Sequence, residues 1–325
     1  MKRTLHTLVA LLGLLAVSAQ AAERSIDRYP EKPIRFIVPF PPGALNDYLG
    51  RLLATKFTEN WGKQMVVDNR AGGSTIIGTE MAAKAPPDGY TLLLCSVALA
   101  VNQTLFPKLP YNTDKDLAFV SMVAATPYLL VVQPKMPVNN LQELVALAKA
   151  KPGQLNYGST GNGGTSNLMG EMLKTMAKID IVHIPYKGLA PALTDMMGGQ
   201  INVAFGGYST VGELWKSGRL RAIAVTSAKR SPYTPDLPTI AESGYPGYEA
   251  TPWWGLAVPA GTPKPIVAKL NAEVHRIMKA PDVTEQMKSR AIEVWISTPE
   301  ELADYYRKEV TRWANVVKTA HIKAE

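Results

Sequence analysis

The feature that most constrains the fold is a glycine-rich turn between a strand pattern and a helix pattern. Residues 154–166 read as a short strand, a turn of Gly and hydroxyl residues, and the opening of a helix. Apolar residues then recur at helical spacing from Leu168 to Met176. The first turn of a helix leaves backbone N–H groups without partners and carries partial positive charge. The stretch therefore predicts a receptor for an anionic group.

Two earlier stretches repeat this order of strand, turn and helix. The first, Val38–Asp47, follows an apolar run and precedes an amphipathic helix that Asn46 or Asp47 can cap. The second, Asp68–Thr75, lies between the strand pattern at 65–67 and a further helix pattern. Ligands of open parallel sheets bind beyond the carboxyl ends of the strands, so all three turns are candidate ligand loops.

Alternating strand and helix patterns from Ile34 onward predict an α/β fold. Extended segments near 117–133 lead out of a first lobe, and a stretch rich in Pro, Gly and Tyr near 231–252 leads back. We predict lobe I at 23–124 plus 250–325 and lobe II at 125–249. Each lobe is expected to be a mostly parallel sheet flanked by helices, with the ligand cleft between the lobes.

The first 22 residues predict a secretory signal peptide. Lys2 and Arg3 form a basic start, and the apolar run Leu8–Val17 ends before a small-residue site, so we expect cleavage near Ala21 or Ala22. The run is too short to span a bilayer. An N-terminal anchor helix is the alternative. We expect the mature protein outside the cytoplasm.

Composition narrows the class of partner. The chain has 325 residues, 46% of them hydrophobic, and a formal net charge of +8 without a basic run, so nucleic-acid binding is not predicted. The positive excess suits small anionic ligands. Cys95 is the only cysteine, which excludes an intramolecular disulfide, and its strand pattern predicts a small buried hydrophobe.

The sequence gives little support for catalysis or for a cofactor. The mature chain has His183, His275 and His321, none at metal-ligand spacing, and no Gly-x-Ser-x-Gly motif. The dinucleotide fingerprint is incomplete, because Ser166 stands where its third glycine belongs. We predict no metal, no cofactor and no enzymatic activity. The alternative is a secreted α/β hydrolase-like enzyme acting on a small anionic substrate.

Several ordered motifs resemble a known family. They are Pro39–Gly43, Asp68–Gly73, Pro87–Leu93, Ala148–Tyr157, Ser159–Gly163 and Pro185–Gly188. In this order they resemble the substrate-binding proteins of tripartite tricarboxylate transporters, the Bug-type family, over essentially the whole mature chain. The resemblance implies a periplasmic type II binding protein. Such a protein closes, as a monomer, on a citrate-like acid, an acidic amino acid or an aromatic carboxylate, and delivers it to membrane subunits.

The resemblance also implies the ligand-binding residues. They are Phe40, Pro42, Gly43, Ala44, Asn46 and Asp47 from the first loop, Gly73, Ser74 and Thr75 from the second, and Ser159, Thr160, Gly161, Asn162 and Thr165 from the third. Lys187 and Ser209 are added because each follows a strand pattern, although a solvated surface position is an equal alternative for Lys187. We expect Asp47 to order its loop rather than to touch an anion, since two negative charges repel.

The chain departs from the family pattern at Ala44, where the family has a second glycine, and at Asn46, where it has a hydroxyl residue. Asn167 stands where the family often has His. These departures leave the fold expectation intact and the identity of the carboxylate open.

Overall fold

A computed structural model describes residues 28–322 apart from Ala44. The predicted signal peptide and Ala44 lie outside these described residues. Among the described residues, the strands are β1 (Ile34–Val38), β2 (Met65–Asn69), β3 (Thr91–Ser96), β4 (Leu117–Ala125), β5 (Tyr128–Val132), β6 (Asn156–Ser159), β7 (Val182–Pro185), β8 (Val203–Gly207), β9 (Arg221–Val225), β10 (Trp253–Pro259) and β11 (Glu293–Val294).

Helices follow most of the strands. They are α1 (Leu45–Trp61), α2 (Ile76–Ala83), α3 (Ala98–Leu105), α4 (Thr113–Asp116), α5 (Leu141–Ala150), α6 (Thr165–Ala177), α7 (Leu189–Met197), α8 (Tyr208–Lys216), α9 (Lys264–Met278), α10 (Pro281–Ser289) and α11 (Pro299–Thr319). A short 3-10 turn, Gly73–Thr75, precedes α2. Helix α11 begins with a capping box: Thr298 and Glu301 bond each other's backbone, and Pro299 occupies the first turn.

The first sheet has six strands in the order β11-β4-β10-β3-β1-β2. Strand β1 pairs in parallel with both β2 and β3, whereas β11 pairs antiparallel with β4. Strand β3 is buried along its whole length, as is usual for parallel strands covered on both faces. Cys95 lies in this strand and is buried, as predicted, and burial raises the pKa of its thiol to about 12.

The second sheet has five strands in the order β7-β6-β8-β5-β9. Strand β6 pairs in parallel with β7 and with β8, whereas β5 runs antiparallel to β8 and to β9. Four strands therefore point in one direction. The carboxyl ends of β7, β6 and β8 lie side by side, which brings the turns after these strands to one edge of the sheet.

The chain forms two compact units. One contains the described chain up to Leu94, Tyr111–Val120 and Leu256–Ile277, and the other contains Cys95–Pro110, Ser121–Gly255 and the chain from Met278 onward. The lobe boundaries at 124/125 and 249/250 stay a prediction from the sequence.

The second unit holds the five-stranded sheet and helix α11. Its core packs apolar side chains of β5, β8 and α7 against one another, among them Leu129, Ala204 and Leu193. Helix α11 packs on α3 and on α6. Within the described residues, no helix combines the length and the apolar character needed to cross a membrane.

Candidate ligand-binding site

The carboxyl edge of the five-stranded sheet carries the starts of α6, α7 and α8. Strands β6, β7 and β8 each lead through a short turn into one of these helices. The residues at the N-caps are Gly164, Gly188 and Gly207, and none of these caps has a side-chain hydrogen bond. Three helix starts therefore present backbone N–H groups and partial positive charge at one edge, an arrangement suited to an anion.

The third ligand loop, Thr160–Gly164, is tied to its surroundings by its own first amides. The N–H of Thr160 donates to Ser166 Oγ at 2.9 Å, and the N–H of Gly161 donates to Ser159 Oγ at 3.1 Å. Gly161 has a φ of +113°, which disfavours residues with a Cβ. The backbone of the loop is thus fixed before any ligand arrives.

The second half of the loop is fixed in the same way. The N–H of Gly163 donates to Asn167 Oδ1 at 3.0 Å, and the N–H of Gly164 donates to the carbonyl of Gly161 at 3.2 Å. Asn167 is buried in the first turn of α6. Asn167, which departs from the family pattern, therefore stabilises the loop backbone from the first turn of α6.

The amides left for a ligand lie at the start of α6. No acceptor within the described part of the chain takes the N–H of Thr165 or of Ser166, the first two helical residues. Thr160 and Asn162 are exposed beside them, and Thr165 is half-buried. The amides of the helix start and the exposed polar side chains are therefore the candidate donors at this edge.

A buried polar chain anchors the loop to α6. Asn167 Nδ2 donates to the hydroxyl of Tyr157 at 2.8 Å, and this hydroxyl donates to Glu171 Oε1 at 2.6 Å. Glu171 in turn accepts from Lys174 Nζ at 2.9 Å. Burial first, and the Glu171 charge second, raise the pKa of Tyr157, so its hydroxyl stays protonated and keeps donating.

Ser159 and His183 form a close pair, with 2.6 Å between Ser159 Oγ and His183 Nε2. A serine hydrogen-bonded to a histidine is also the arrangement of a nucleophile and its general base in hydrolases. Ser159, however, is 0% exposed, and its Oγ already bonds the backbone of Gly161. The pair is therefore placed to support the loop.

The remaining predicted residues of this edge lie at the starts of α7 and α8. Lys187 is exposed in the turn between β7 and α7, and Ser209 is exposed in the first turn of α8. The sequence interpretation chose Ser209 because it follows a strand pattern, and in the structure a helix begins there at Tyr208. Ser209 thus lies at a helix start.

The first loop is organised by Asp47, which belongs to the other compact unit. Asp47 Oδ2 accepts from the N–H of Gly43 at 3.0 Å and from Arg51 Nε at 2.9 Å, and Oδ1 accepts from Asn69 Nδ2 at 3.0 Å. The hydrogen bond from Arg51 is the largest cause that lowers the pKa of Asp47 to about 2. Asp47 orders this loop, as expected.

The other first-loop candidates differ in exposure. Phe40 and Asn46 are half-buried, Pro42 and Gly43 are exposed, and Gly43 has a φ of +93°. The conformation that Ala44 adopts lies outside the described residues, so the strain expected there stays a prediction.

The second loop adopts unusual backbone angles. Gly73, Ser74 and Thr75 have φ values of +53°, +51° and +78°, which cost energy for Ser and Thr. Gly73 and Ser74 are exposed, and Thr75 is buried at the N-cap of α2 without a side-chain capping bond.

The sequence interpretation missed the supporting residues. Tyr157 and Glu171 drew no attention, and Asn167 was noted only as a departure from the family pattern. Tyr157 precedes Gly158 and Ser159 on a buried strand, and a buried tyrosine needs a hydrogen-bond partner. That need was the one available signal.

Across the part of the chain that the structure describes, no cluster of three or more His, Cys, Asp or Glu could hold a metal ion.

Solved structures of solute-binding proteins are similar to this chain. R. palustris Rpa4515 with adipate has a TM-score of 0.78 at 34% identity, covering 91% of this chain and 99% of that one. Periplasmic binding protein BugD has a TM-score of 0.75 at 34% identity, covering 91% and 100%. MatC from Rhodopseudomonas palustris with bound malate has a TM-score of 0.74 at 30% identity, covering 89% and 100%. Two helix-flanked sheets with uncapped helix starts at a strand edge thus define a solute-binding protein.

The family follows from the sequence comparisons. Residues 49–322 match the model described as "Tripartite tricarboxylate transporter family receptor". The chain is also 38% identical to Protein BugT of Bordetella pertussis over 319 residues, 97% of this chain and 98% of that protein. The chain belongs to the tripartite tricarboxylate transporter family of receptors, which includes the Bug proteins. The predicted α/β fold class and the family resemblance are both confirmed, and the family is one of periplasmic receptors rather than enzymes.

Proposed function

We propose that this protein is a periplasmic receptor that captures a small carboxylate and delivers it to the membrane subunits of a tripartite tricarboxylate-type transporter. The observation that carries the proposal is the set of three helix starts at the carboxyl edge of the five-stranded sheet. Each has glycine at its N-cap and no side-chain capping bond. The similar proteins Rpa4515 and MatC bear adipate and malate, both dicarboxylates, which supports a ligand of this class.

The proposed capture rests on several modest interactions acting together. A helix dipole contributes only about 0.3–1 kcal/mol per carboxylate, whereas micromolar binding needs about 8 kcal/mol. Charge-assisted hydrogen bonds, at about 1.5–3 kcal/mol each, must supply most of the rest. At the third loop these donors are the amides of Thr165 and Ser166 and the hydroxyl groups of Thr160 and Thr165. Lys187 and Ser209 are further candidates from the neighbouring helix starts.

The sequence pattern adds the first and second loops as further sources of contacts to the ligand. Phe40, Pro42, Gly43 and the turn Gly73–Thr75 remain proposed ligand contacts on that ground. Asp47 takes the role of a loop organiser, because both of its oxygen atoms already accept hydrogen bonds.

Calorimetry and thermal melting of the purified mature chain test the proposal. We expect adipate, malate, citrate or glutamate to bind, and an acid at 100 times its dissociation constant to add about 2.7 kcal/mol of stability. Adipamide, which is neutral but otherwise matches adipate, is the control and should not bind. Binding of adipamide as tight as that of adipate, or no binding of any acid, contradicts the proposal.

Turnover, export and delivery need separate measurements. We expect the bound acid to be recovered unchanged after long incubation; its conversion would favour the hydrolase alternative.

Mass spectrometry of the periplasmic protein should find a mature N-terminus near Ala22 or Glu23. Light scattering should show a monomer. Spheroplasts carrying the membrane subunits should take up labelled acid only when this receptor is added.

A further inference from the structure

We propose that His183 is a positioning residue for the ligand loop and that it acts through Ser159 without touching the ligand. The inference rests on the function proposed above. It concerns the loop Thr160–Gly164, whose shape decides where the helix start of α6 meets a bound anion.

The contact geometry gives His183 this position. Ser159 Oγ lies 2.6 Å from His183 Nε2 on one side and accepts the Gly161 N–H at 3.1 Å on the other. Ser159 is fully buried, so water cannot replace either partner. The imidazole therefore fixes the hydroxyl group, and the hydroxyl group fixes the amide of Gly161, whose φ is +113°.

The arrangement holds for either direction of the hydrogen bond. When Nε2 lacks a proton, the Ser159 hydroxyl donates to it and still accepts from Gly161. When Nε2 carries a proton, it donates to Ser159 Oγ, and the hydroxyl turns to the Gly161 carbonyl, 3.2 Å away. In both cases the oxygen atom stays in place because His183 holds it.

His183 is itself held by rigid neighbours. Its ring stacks on that of Tyr157, with 4.9 Å between centroids and 25° between planes, and the two residues are in register across β6 and β7. Tyr157 is locked by Asn167 and Glu171. The loop thus rests on a base of stacked rings and buried hydrogen bonds rather than on loop residues alone.

His183 also lines a cavity of about 320 Å³. Asn162, Lys174 and His321 also line this cavity. His321 provides a matched control, because it is a histidine that lines the same cavity.

Affinity should depend on His183 because a preorganised loop loses less conformational freedom on binding. Without the imidazole, Ser159 can rotate, and the Gly161 amide loses its fixed acceptor. A neutral hydrogen bond of this kind corresponds to roughly a fivefold change in affinity.

Two substitutions separate the polar atom from the ring. His183→Phe keeps the stacking on Tyr157 and removes the hydrogen bond, whereas His183→Gln loses the ring but places an amide group the same number of bonds from Cβ as Nε2. With adipate or malate as probe, whichever the wild-type protein binds, we expect the dissociation constant to rise roughly fivefold or more in His183→Phe. His183→Gln and His321→Gln should stay within about twofold of wild type.

Two further readouts test the route through Ser159. Hydrogen exchange of the Gly161 amide, followed by NMR without ligand, should accelerate in His183→Phe and not in His321→Gln. Ser159→Ala should weaken binding as His183→Phe does, and the double variant should be no weaker than the worse single variant, because both act on one contact.

The outcomes are distinguishable. Unchanged affinity and unchanged Gly161 exchange in His183→Phe overturn the inference, and so does a loss in His183→Gln as large as in His183→Phe, which would assign the effect to ring packing. A wild-type protein that binds none of adipate, malate, citrate and glutamate, yet shows faster Gly161 exchange in His183→Phe, contradicts the proposed function and leaves the positioning contact standing.

Discussion

The Tyr157 hydroxyl group lies 2.6 Å from Glu171 Oε1, and both residues are buried. Tyr157→Phe should destabilise the protein by about 1–3 kcal/mol, because Glu171 and Asn167 each lose a buried partner. Urea unfolding at neutral pH measures the difference. Tyr245→Phe, at a half-buried tyrosine, is the control and should stay within about 0.5 kcal/mol of wild type. Equal effects of the two changes would deny Tyr157 its anchoring role.

Asp47 should make the first unit sensitive to acid. Its pKa is lowered to about 2 in the folded protein, chiefly by the hydrogen bond from Arg51, whereas an unperturbed aspartate has a pKa of about 3.9. A carboxyl group whose pKa is lower in the folded state stabilises above its unfolded pKa. The contribution, about 2 kcal/mol, is therefore lost as pH falls from about 4 to about 2.

Comparison of wild type with Asp47→Asn tests this sign. The wild-type advantage in unfolding free energy should be complete at about pH 7 and should shrink below about pH 4. Asp304→Asn, at an exposed aspartate that pairs with Arg307, is the control and should show little change. An advantage of Asp47 that persists unchanged at about pH 2 would contradict the assignment.

Gly170 and Gly212 both lie inside helices, yet we expect opposite effects of alanine. A Cβ at Gly170 would come within 2.3 Å of the Tyr157 ring, which cannot move because Asn167 and Glu171 hold it. A Cβ at Gly212 would meet the half-buried Tyr208 ring at 3.1 Å. Gly170→Ala should cost roughly 2 kcal/mol despite better helix propensity.

Gly212→Ala should be neutral or stabilising by up to about 1 kcal/mol, because the Tyr208 ring can give way and alanine favours the helix. Chemical unfolding of both variants gives the comparison. Tolerance of Gly170→Ala would mean that the Tyr157 ring is free to shift, and the proposed rigid base would fail with it.

Thr165 allows the backbone amide to be tested apart from its side chain. It is the first residue of α6, where proline fits a helix well, and Gly164 before it has the extended ψ of 159° that proline requires. Thr165→Ala removes the hydroxyl group alone, and Thr165→Pro removes the amide hydrogen as well. We expect Thr165→Pro to bind the acid roughly 10-fold more weakly than Thr165→Ala in calorimetry.

Melting temperatures without ligand are the control for this pair and should agree closely. Equal affinities of the two variants would remove the α6 amide from the site and shift the ligand towards α7 or α8.

Much of the fold follows from local patterns. Strand, turn and helix recur wherever an apolar run meets a glycine turn, so β1, β6 and their following helices were predicted closely. Helix α8 was not, because Gly212 and the β-branched residues at 210 and 211 weaken its helical pattern; its stability comes from packing on β8 and β5. The pairing order of the strands also depends on contacts far apart in sequence.

The ligand-binding residues stay a prediction, and the sequence indicated only the exposed residues of the candidate site. Glycines and hydroxyl residues before a helix predict a ligand loop from local sequence alone. The side chains that support this loop, Tyr157 and His183, can be recognised only once β6 and β7 are known to be neighbours. Tyr157 and His183 meet because their strands pair in register, and nothing in their local sequence indicates it. Asn167 differs, because its Oδ1 accepts from the N–H of Gly163 only four residues away, and only its contact with Tyr157 requires α6 to lie against β6.

The buried thiol of Cys95 has a practical consequence. Thiol reagents attack the thiolate, and a thiol with a pKa of about 12 in a buried strand offers almost none at neutral pH. In the variant Asn162→Cys, a maleimide dye would thus label the new, exposed thiol selectively, and Cys95 would not have to be replaced. The receptor can therefore be converted into a fluorescent sensor for the solute that it binds.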